Sequence, residues 1–174
     1  PSIAGVASDV HVAPKSRVTY TYGVQSTVRW PSNTAYAVAA SNLPEAARPT
    51  LSLKPSSYTT RPLHEGGDGA GSLAAITAIA ERARQKGVAI TVDMEGRQWT
   101  DFTLDALHKL HAAGHTHVGC VLQTRLHRTE QDCKTLPKGI RVRLVIGIYR
   151  EPAEVALTDK PAMKERMLSF AEQL

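Results

Sequence analysis

RVRLVIGIYREP, residues 141–152, decides the fold because it combines the pattern of a strand with a charge. Branched and apolar residues dominate as far as Tyr149, so the segment predicts a β-strand. Arg143 nevertheless lies within it. A charge buried without a partner in the middle of a sheet is costly, whereas a charge at the mouth of a barrel can face a ligand. The position of Arg143 therefore favours a barrel.

Three strand and helix units precede this strand. LSLK, VAITVDME and HVGCVLQTRL have strand patterns, and each is followed by a predicted helix. We expect the first helix to begin at Ser72 as its N-cap, and the third to begin with a capping box formed by Thr129 and Asp132. A fourth helix closes the sequence, with one apolar face made by Met163, Met167, Leu168 and Ala171.

Strands that alternate with helices indicate a parallel sheet, either doubly wound or part of a barrel. Polar residues occupy the carboxyl ends of the predicted strands, where the active site of a barrel is built. They are Lys54, Asp93 with Glu95, Gln123, and the segment from Arg143 to Tyr149. The sequence therefore predicts an α/β fold for residues 50–174, a partial (β/α)8 TIM-type barrel of about four strand and helix units. Residues 1–49 form an N-terminal segment without a clear assignment.

The composition excludes several classes of protein. A chain of 174 residues that is 42% hydrophobic and 21% charged is typical of one globular domain. The net charge of +5 comes from scattered Lys and Arg residues, so no nucleic-acid partner is predicted. No apolar run is long enough for stable membrane insertion, and the two cysteines have no ligand spacing. We expect a cytoplasmic location, with a peripheral position at the inner membrane as the alternative.

Some residues have two interpretations. Arg143 either faces a ligand or pairs with a carboxylate such as Asp93. Asp93 and Glu95 without a third ligand do not predict a metal site. The histidines in KLHAAGHTH are interpreted as a group at a helix end, not as zinc ligands, and the glycine-rich HEGGDGAG as a linker, not a phosphate loop.

TVDME, VLQTRLHRTEQD and RVRLVIGIYREPAEVA, with LSLKPSS upstream, resemble successive strand motifs of the proline dehydrogenases, most closely the bacterial monofunctional form. The resemblance runs from about Leu51 to the end of the sequence. It implies a (β/α)8 barrel that oxidises L-proline to Δ1-pyrroline-5-carboxylate, transfers the hydride to FAD and passes the electrons to a quinone.

The resemblance also implies roles for the cofactor site. Arg143 matches the arginine that donates to the flavin near N5, where a cation stabilises the negative charge of the reduced ring. Gln123 matches the glutamine that donates to the edge of the isoalloxazine. Gly147 matches a glycine at which the backbone can approach the ring, because no Cβ intrudes.

For the substrate, the resemblance implies that Lys54 and Asp93 act with Arg143 where proline and flavin meet. Lys54 also binds proline, and Tyr149 lines the proline pocket. Because no covalent chemistry is required of these side chains, positioning would supply most of what the protein contributes.

The sequence departs from the family pattern at several positions. Ile146 replaces a lysine, Ile148 replaces a small alanine, and Arg125 replaces an aromatic residue. The last helix of the family, whose paired arginines bind the carboxylate of proline, has no counterpart. We therefore expect a fragment, inactive on its own, whose exposed strand edges favour association into a homo-oligomer. The alternative is a non-catalytic truncated relative that acts as a binding or dimerisation module.

Overall fold

The computed structural model describes Ala37 and residues 40–173. Residues 17–30 alternate in the sequence somewhat as a strand does, and they lie outside the described residues. Ala37, Ala40 and Ser41 are helical, in the N-terminal segment that has no clear assignment from the sequence.

The central element is a four-stranded parallel sheet with the order β1-β2-β3-β4. Consecutive strands are neighbours throughout, and the order never reverses as it would in a doubly wound sheet. The expectation of a partial barrel is therefore confirmed. The strands are β1 (Leu51–Leu53), β2 (Ile90–Val92), β3 (Val118–Gln123) and β4 (Val142–Val145).

Helices connect and follow the strands at the predicted places. They are α1 (Ala70–Gln85), α2 (Thr100–Ala112), α3 (Thr129–Thr135) and α4 (Lys160–Gln173). Short 3-10 turns lie at Glu45–Ala47, Pro55–Tyr58, Leu63–Glu65 and Arg97–Trp99. In the part of the chain that the structure describes, no helix combines the length and the apolar character needed to cross a bilayer.

The predicted start of α1 is wrong. Gly69 is the N-cap, and the Ala70 N–H donates to Oδ1 of Asp68 at 2.9 Å. Ser72 lies inside the helix, where its hydroxyl donates to the Pro55 carbonyl at 2.7 Å. The serine is buried and ties α1 to the turn after β1, a tertiary contact that competes with local capping.

The predicted capping box of α3 is also wrong. The N-cap is Arg128, and the Thr129 hydroxyl donates to the Gln123 carbonyl at 2.7 Å. Asp132 instead accepts from the Arg128 guanidinium. Thr129 thereby fixes the start of α3 to the end of β3.

The apolar face predicted for α4 is partly wrong. Met163 and Phe170 are its buried residues, whereas Leu168 is 67% exposed and Ala171 is also exposed. The buried stripe thus follows the spacing from Met163 through the half-buried Met167 to Phe170.

The two faces of the sheet differ in polarity. One face packs against the helices and forms the core with residues such as Ile76, Ile79 and Leu107. The strand residues on this face are Leu51, Leu53, Ile90, Val92, Val118, Cys120 and Leu122. Side chains alternate along each strand, so the intervening residues face the other side. We call this second side the inner face, and it carries the polar residues of the sheet.

Candidate active site

Three charged side chains lie at one level of the inner face. Lys54 follows β1 directly and Asp93 follows β2 directly, each one residue beyond the registered pair Leu53 and Val92. Arg143 is the second residue of β4, not its end as predicted. The register aligns the first residue of β4 with the last residues of β1 and β2. Arg143, the next residue, therefore lies at the same level as Lys54 and Asp93.

Arg143 and Asp93 form an ion pair across the sheet. Nη2 of Arg143 lies 2.6 Å from Oδ1 of Asp93, and the side chains are 54% and 18% exposed respectively. The pairing interpretation of Arg143 is therefore correct. The ion pair uses one of the five N–H donors of the guanidinium, so the others can still bind a ligand.

Burial raises the pKa of Asp93, although Arg143 and Lys54 lower it. Nearby Glu95 raises the pKa of Asp93 further. The carboxylate thus loses more hydration than its two cations offset. Lys54 lies close enough to act electrostatically on Asp93, so the structure brings these two predicted residues together.

A second arginine lies below the first on the inner face. Nη2 of Arg141 donates to the Ile90 carbonyl at 2.6 Å and to Oγ1 of Thr91 at 3.2 Å. The Arg141 side chain crosses β3 at Gly119 to make these bonds. A Cβ on Gly119 would collide with the Arg141 carbonyl oxygen. No role is predicted for Arg141 from the sequence. The R-x-R spacing within a strand was the signal that could have placed both arginines on one face.

Above the charged level, hydrogen bonds connect the ends of three strands. The Glu95 carboxylate accepts from the Ser56 N–H at 2.8 Å and from the Ser56 hydroxyl at 2.6 Å. The Glu95 carbonyl accepts from Nε2 of Gln123 at 2.6 Å. Glu95 is only 7% exposed. It was recognised in the sequence as polar but was not predicted to join the strands.

Gln123 has one amide atom without a partner. Its Oε1 is buried and accepts no hydrogen bond, and only 2% of the residue is exposed to solvent that could bind it instead. A Cβ placed on Gly147 would lie 2.5 Å from this oxygen, and Gly147 has a φ of 108°. The glycine therefore permits the close contact between the loop after β4 and the Gln123 amide, because it has no Cβ.

Tyr149 lies near the two carboxylates. Burial raises the pKa of its phenol, and the negative charges of Glu95 and Asp93 raise it further. The backbone carbonyl of Tyr149 accepts from Nη1 of Arg125 at 3.0 Å. Of the positions that depart from the family pattern, Ile148 is 91% exposed.

The histidines lie at the opposite, amino end of the strands. His111 Nε2 contacts the Val118 carbonyl at 2.7 Å, and His117 Nε2 contacts the Ala80 carbonyl at 3.0 Å. Across Ala37 and residues 40–173, no group of three or more His, Cys, Asp or Glu side chains is arranged to hold a metal. Through these carbonyls His111 and His117 join α1, α2 and β3.

The inner face can hold an anionic or electron-rich ligand. Arg143 and Lys54 supply positive charge, and Gln123 supplies a buried amide next to a stretch of backbone without a Cβ. An orphaned buried acceptor is uncommon in a folded protein and marks a position where a ligand donor could bind. Ring N–H and carbonyl groups, as in an isoalloxazine, match this set of donors and acceptors.

Comparisons with known proteins identify similar chains. A family model described as proline dehydrogenase matches residues 10–155. The proline dehydrogenase of Deinococcus radiodurans is 37% identical over 115 residues, which cover 65% of this chain and 36% of that protein. Proline dehydrogenase 2 of Bacillus subtilis is 35% identical over 91 residues, which cover 52% of this chain and 30% of that protein. The chain thus spans about a third of the length of these curated relatives.

Among solved structures, Proline Utilization A of Bradyrhizobium japonicum is similar in fold. The TM-score is 0.65 at 20% identity, over 82% of this chain and 18% of that chain.

Proposed function

The chain belongs to the proline dehydrogenase family, and from this premise we propose that it takes part in the oxidation of L-proline to Δ1-pyrroline-5-carboxylate. The observation that carries the proposal is the level of the inner face at which Arg143, Asp93 and Lys54 meet from three strands. Charged groups at the carboxyl ends of barrel strands form the sites of barrel enzymes.

FAD is the proposed cofactor, and when bound it would accept the hydride from proline. Arg143 would hold the flavin through the donors that its bond to Asp93 leaves open. Gln123 would contact the edge of the ring through its unpartnered Oε1. Gly147 would contribute to the cofactor site by leaving room for the Gln123 amide next to the backbone. Asp93 would orient the Arg143 guanidinium through their ion pair.

The substrate would bind beside these groups. The Lys54 ammonium would bind the carboxylate of proline, and the Tyr149 ring would contact the pyrrolidine ring. The amine of proline must lose a proton before oxidation. Asp93, the partly buried carboxylate nearest to the two cations, could receive this proton. Orientation by these side chains would account for most of the contribution of this chain. A quinone is the proposed electron acceptor, and a homo-oligomer in the cytoplasm is the proposed state.

Flavin binding and proline oxidation are tested separately. We expect added FAD to bind, with quenched flavin fluorescence, and proline-dependent reduction of an artificial dye to remain weak, because the chain is expected to be inactive on its own. Arg143→Met should weaken FAD binding by about tenfold or more, since a charge-assisted hydrogen bond contributes about 1.5–3 kcal/mol. Arg82→Met on the exposed face of α1 is the control and should bind FAD as the parent does. A parent protein that ignores FAD would refute the proposal.

A non-catalytic binding module is the second candidate, and the exposure of Ile148 favours it. An isoleucine that is 91% exposed beside the candidate site offers an apolar contact for another macromolecule. The double substitution Ile146→Lys and Ile148→Ala restores the family residues. If FAD binding and dye reduction rise in this variant, the oxidoreductase is favoured. If both remain absent, the binding module is favoured.

A further inference from the structure

Arg125 lies where β3 has just ended, opposite the loop that follows β4. Its backbone N–H donates to the Ile146 carbonyl at 3.2 Å, and its carbonyl accepts from the Leu157 N–H at 2.8 Å. These two partners are the first and last residues of a segment that we call the 146–157 loop. The backbone of one residue thus holds both ends of the loop.

The side chain of Arg125 holds the same loop a second time. Nε donates to the Leu157 carbonyl at 3.1 Å, and Nη1 donates to the Tyr149 carbonyl at 3.0 Å. The aliphatic part packs against Gly147, where a Cβ would lie 3.1 Å from Cδ of Arg125. A planar guanidinium with donors in a fixed fork is suited to two carbonyls that lie eight residues apart in sequence.

The position of the Tyr149 carbonyl determines which side chains of the loop turn inward. Ile148 is 91% exposed, whereas Tyr149 is partly buried and lies within electrostatic reach of Glu95 and Asp93. A hydrogen bond that fixes the backbone at Tyr149 therefore keeps its phenol over the inner face.

We propose that Arg125 is a positioning residue, which holds the backbone of the 146–157 loop so that the Tyr149 side chain faces Asp93 and the candidate substrate site. The substrate role of Tyr149 rests on the proposed function, whereas the placement of its side chain does not. Arg125 replaces the aromatic residue usual in the family pattern, and its fork to two carbonyls would provide a different means of fixing the loop.

Other contacts also hold the loop. His127 N–H donates to the Val155 carbonyl at 2.9 Å, and the Arg97 N–H donates to Oε1 of Glu151 at 3.0 Å. These bonds hold the middle and far part of the loop and do not reach Tyr149. They should keep the loop folded when Arg125 is changed, so the effect on Tyr149 can be measured in a folded protein.

The test compares Arg125→Lys and Arg125→Gln with the parent by hydrogen exchange and by ultraviolet titration of the phenol. A single ammonium or amide cannot reproduce the fork, so the Leu157 amide, which donates to the Arg125 carbonyl, should exchange about tenfold faster, the factor expected when one or two net hydrogen bonds are lost. The phenol signal of Tyr149 is the difference between each protein and its Tyr149→Phe partner. We expect the raised pKa of Tyr149 to fall towards its ordinary value in both variants.

Arg84→Lys on α1 is the matched control, because Arg84 is an exposed arginine that pairs with Glu81 far from the loop. It should leave both signals unchanged. Unchanged exchange at Leu157 and an unchanged phenol titration in both Arg125 variants would overturn the proposal. If both signals move but no protein binds FAD, the positioning role stands and the proposed function fails. If proline oxidation is present, the variants should raise KM more than they lower kcat.

Discussion

Arg143 and Asp93 show how one ion pair combines stability with an accessible charge. The arginine is more than half exposed, whereas the aspartate is only 18% exposed. Burial raises the pKa of Asp93 in spite of two neighbouring cations. Those cations therefore stabilise the charged form of the carboxylate in the folded protein. The two partners are therefore unequal, and their removal should have unequal effects.

We expect Arg143→Met to lower the free energy of unfolding at pH 7 by about 1 kcal/mol, a charged hydrogen bond discounted for solvent exposure. Asp93→Asn should change it by less than about 0.5 kcal/mol, because the amide oxygen still accepts from Arg143 and loses less hydration on burial. Urea unfolding of the protein without FAD measures both. Equal losses in the two variants would contradict this asymmetry.

The pH dependence has a defined sign. The pKa of Asp93 is raised in the folded state from its ordinary value of 3.8, so the folded protein holds this proton more tightly than the unfolded chain does. Stability from this group is therefore complete below pH 3.8 and is lost as pH rises through the folded-state pKa. In Arg143→Met that pKa rises further, so the penalty of the substitution should shrink as the solution is acidified.

At the scale of elements, the loop after β4 packs against β3 through a glycine. Gly147 has a φ of 108°, and a Cβ there would lie 2.5 Å from Oε1 of Gln123. Gly139, in the turn before β4, also has a positive φ, of 73°, but no atom lies within 4 Å of its hypothetical Cβ. Substituting each glycine therefore distinguishes the energetic cost of backbone strain, which both positions share, from the cost of steric crowding, which only Gly147 has.

Gly139→Ala should lower the free energy of unfolding by about 1–2 kcal/mol, the cost of a left-handed conformation with a Cβ. Gly147→Ala should pay a similar backbone cost and about 1–3 kcal/mol more, because the methyl group must displace the Gln123 amide. Thermal or urea unfolding of the two variants provides the comparison. A Gly147→Ala loss no larger than that of Gly139→Ala would show that Gln123 is not packed against this backbone.

At the scale of the whole molecule, the two ends of the sheet differ in composition and contacts. The carboxyl ends carry Lys54, Asp93 and Gln123, whereas the amino end of β3 carries histidines that bind backbone carbonyls. His117 links β3 to α1 through the Ala80 carbonyl. In barrel enzymes the carboxyl ends serve catalysis and the amino ends serve stability.

Burial lowers the pKa of His117; the charges of His115 and Arg84 lower it further, while the bond to Ala80 and the charge of Glu81 oppose the shift. The unfolded chain therefore binds this proton more tightly than the folded protein. Stability from His117 is present above its ordinary pKa of 6.5 and is lost as pH falls towards the folded-state value.

We expect the parent to lose stability between pH 7 and pH 5 more steeply than His117→Gln, by at most about 1.4 kcal/mol per pH unit. The glutamine amide can still donate to the Ala80 carbonyl. His108→Gln on the exposed face of α2 is the control and should follow the parent. Parallel curves for His117→Gln and the parent would exclude a buried neutral imidazole.

The sequence predicts the elements better than the contacts between them. Periodicity and strand pattern located all four strands of the described sheet, and the polar residues at their ends marked Lys54, Asp93 and Gln123. Register is not visible in a local pattern, so the offset that places Arg143 within β4, at the level of Asp93, could not be predicted. Tertiary hydrogen bonds likewise removed Ser72 from the cap where local preference had placed it.

Gly119 has a consequence for how this chain can vary. It lies at the one residue of β3 over which Arg141 crosses to reach β2, and any side chain there would meet the Arg141 backbone. Every missense change in a glycine codon introduces a side chain, so no single nucleotide substitution at this codon can alter the residue and keep the crossing. We therefore expect natural variants to accumulate at neighbouring codons of the strand before this one.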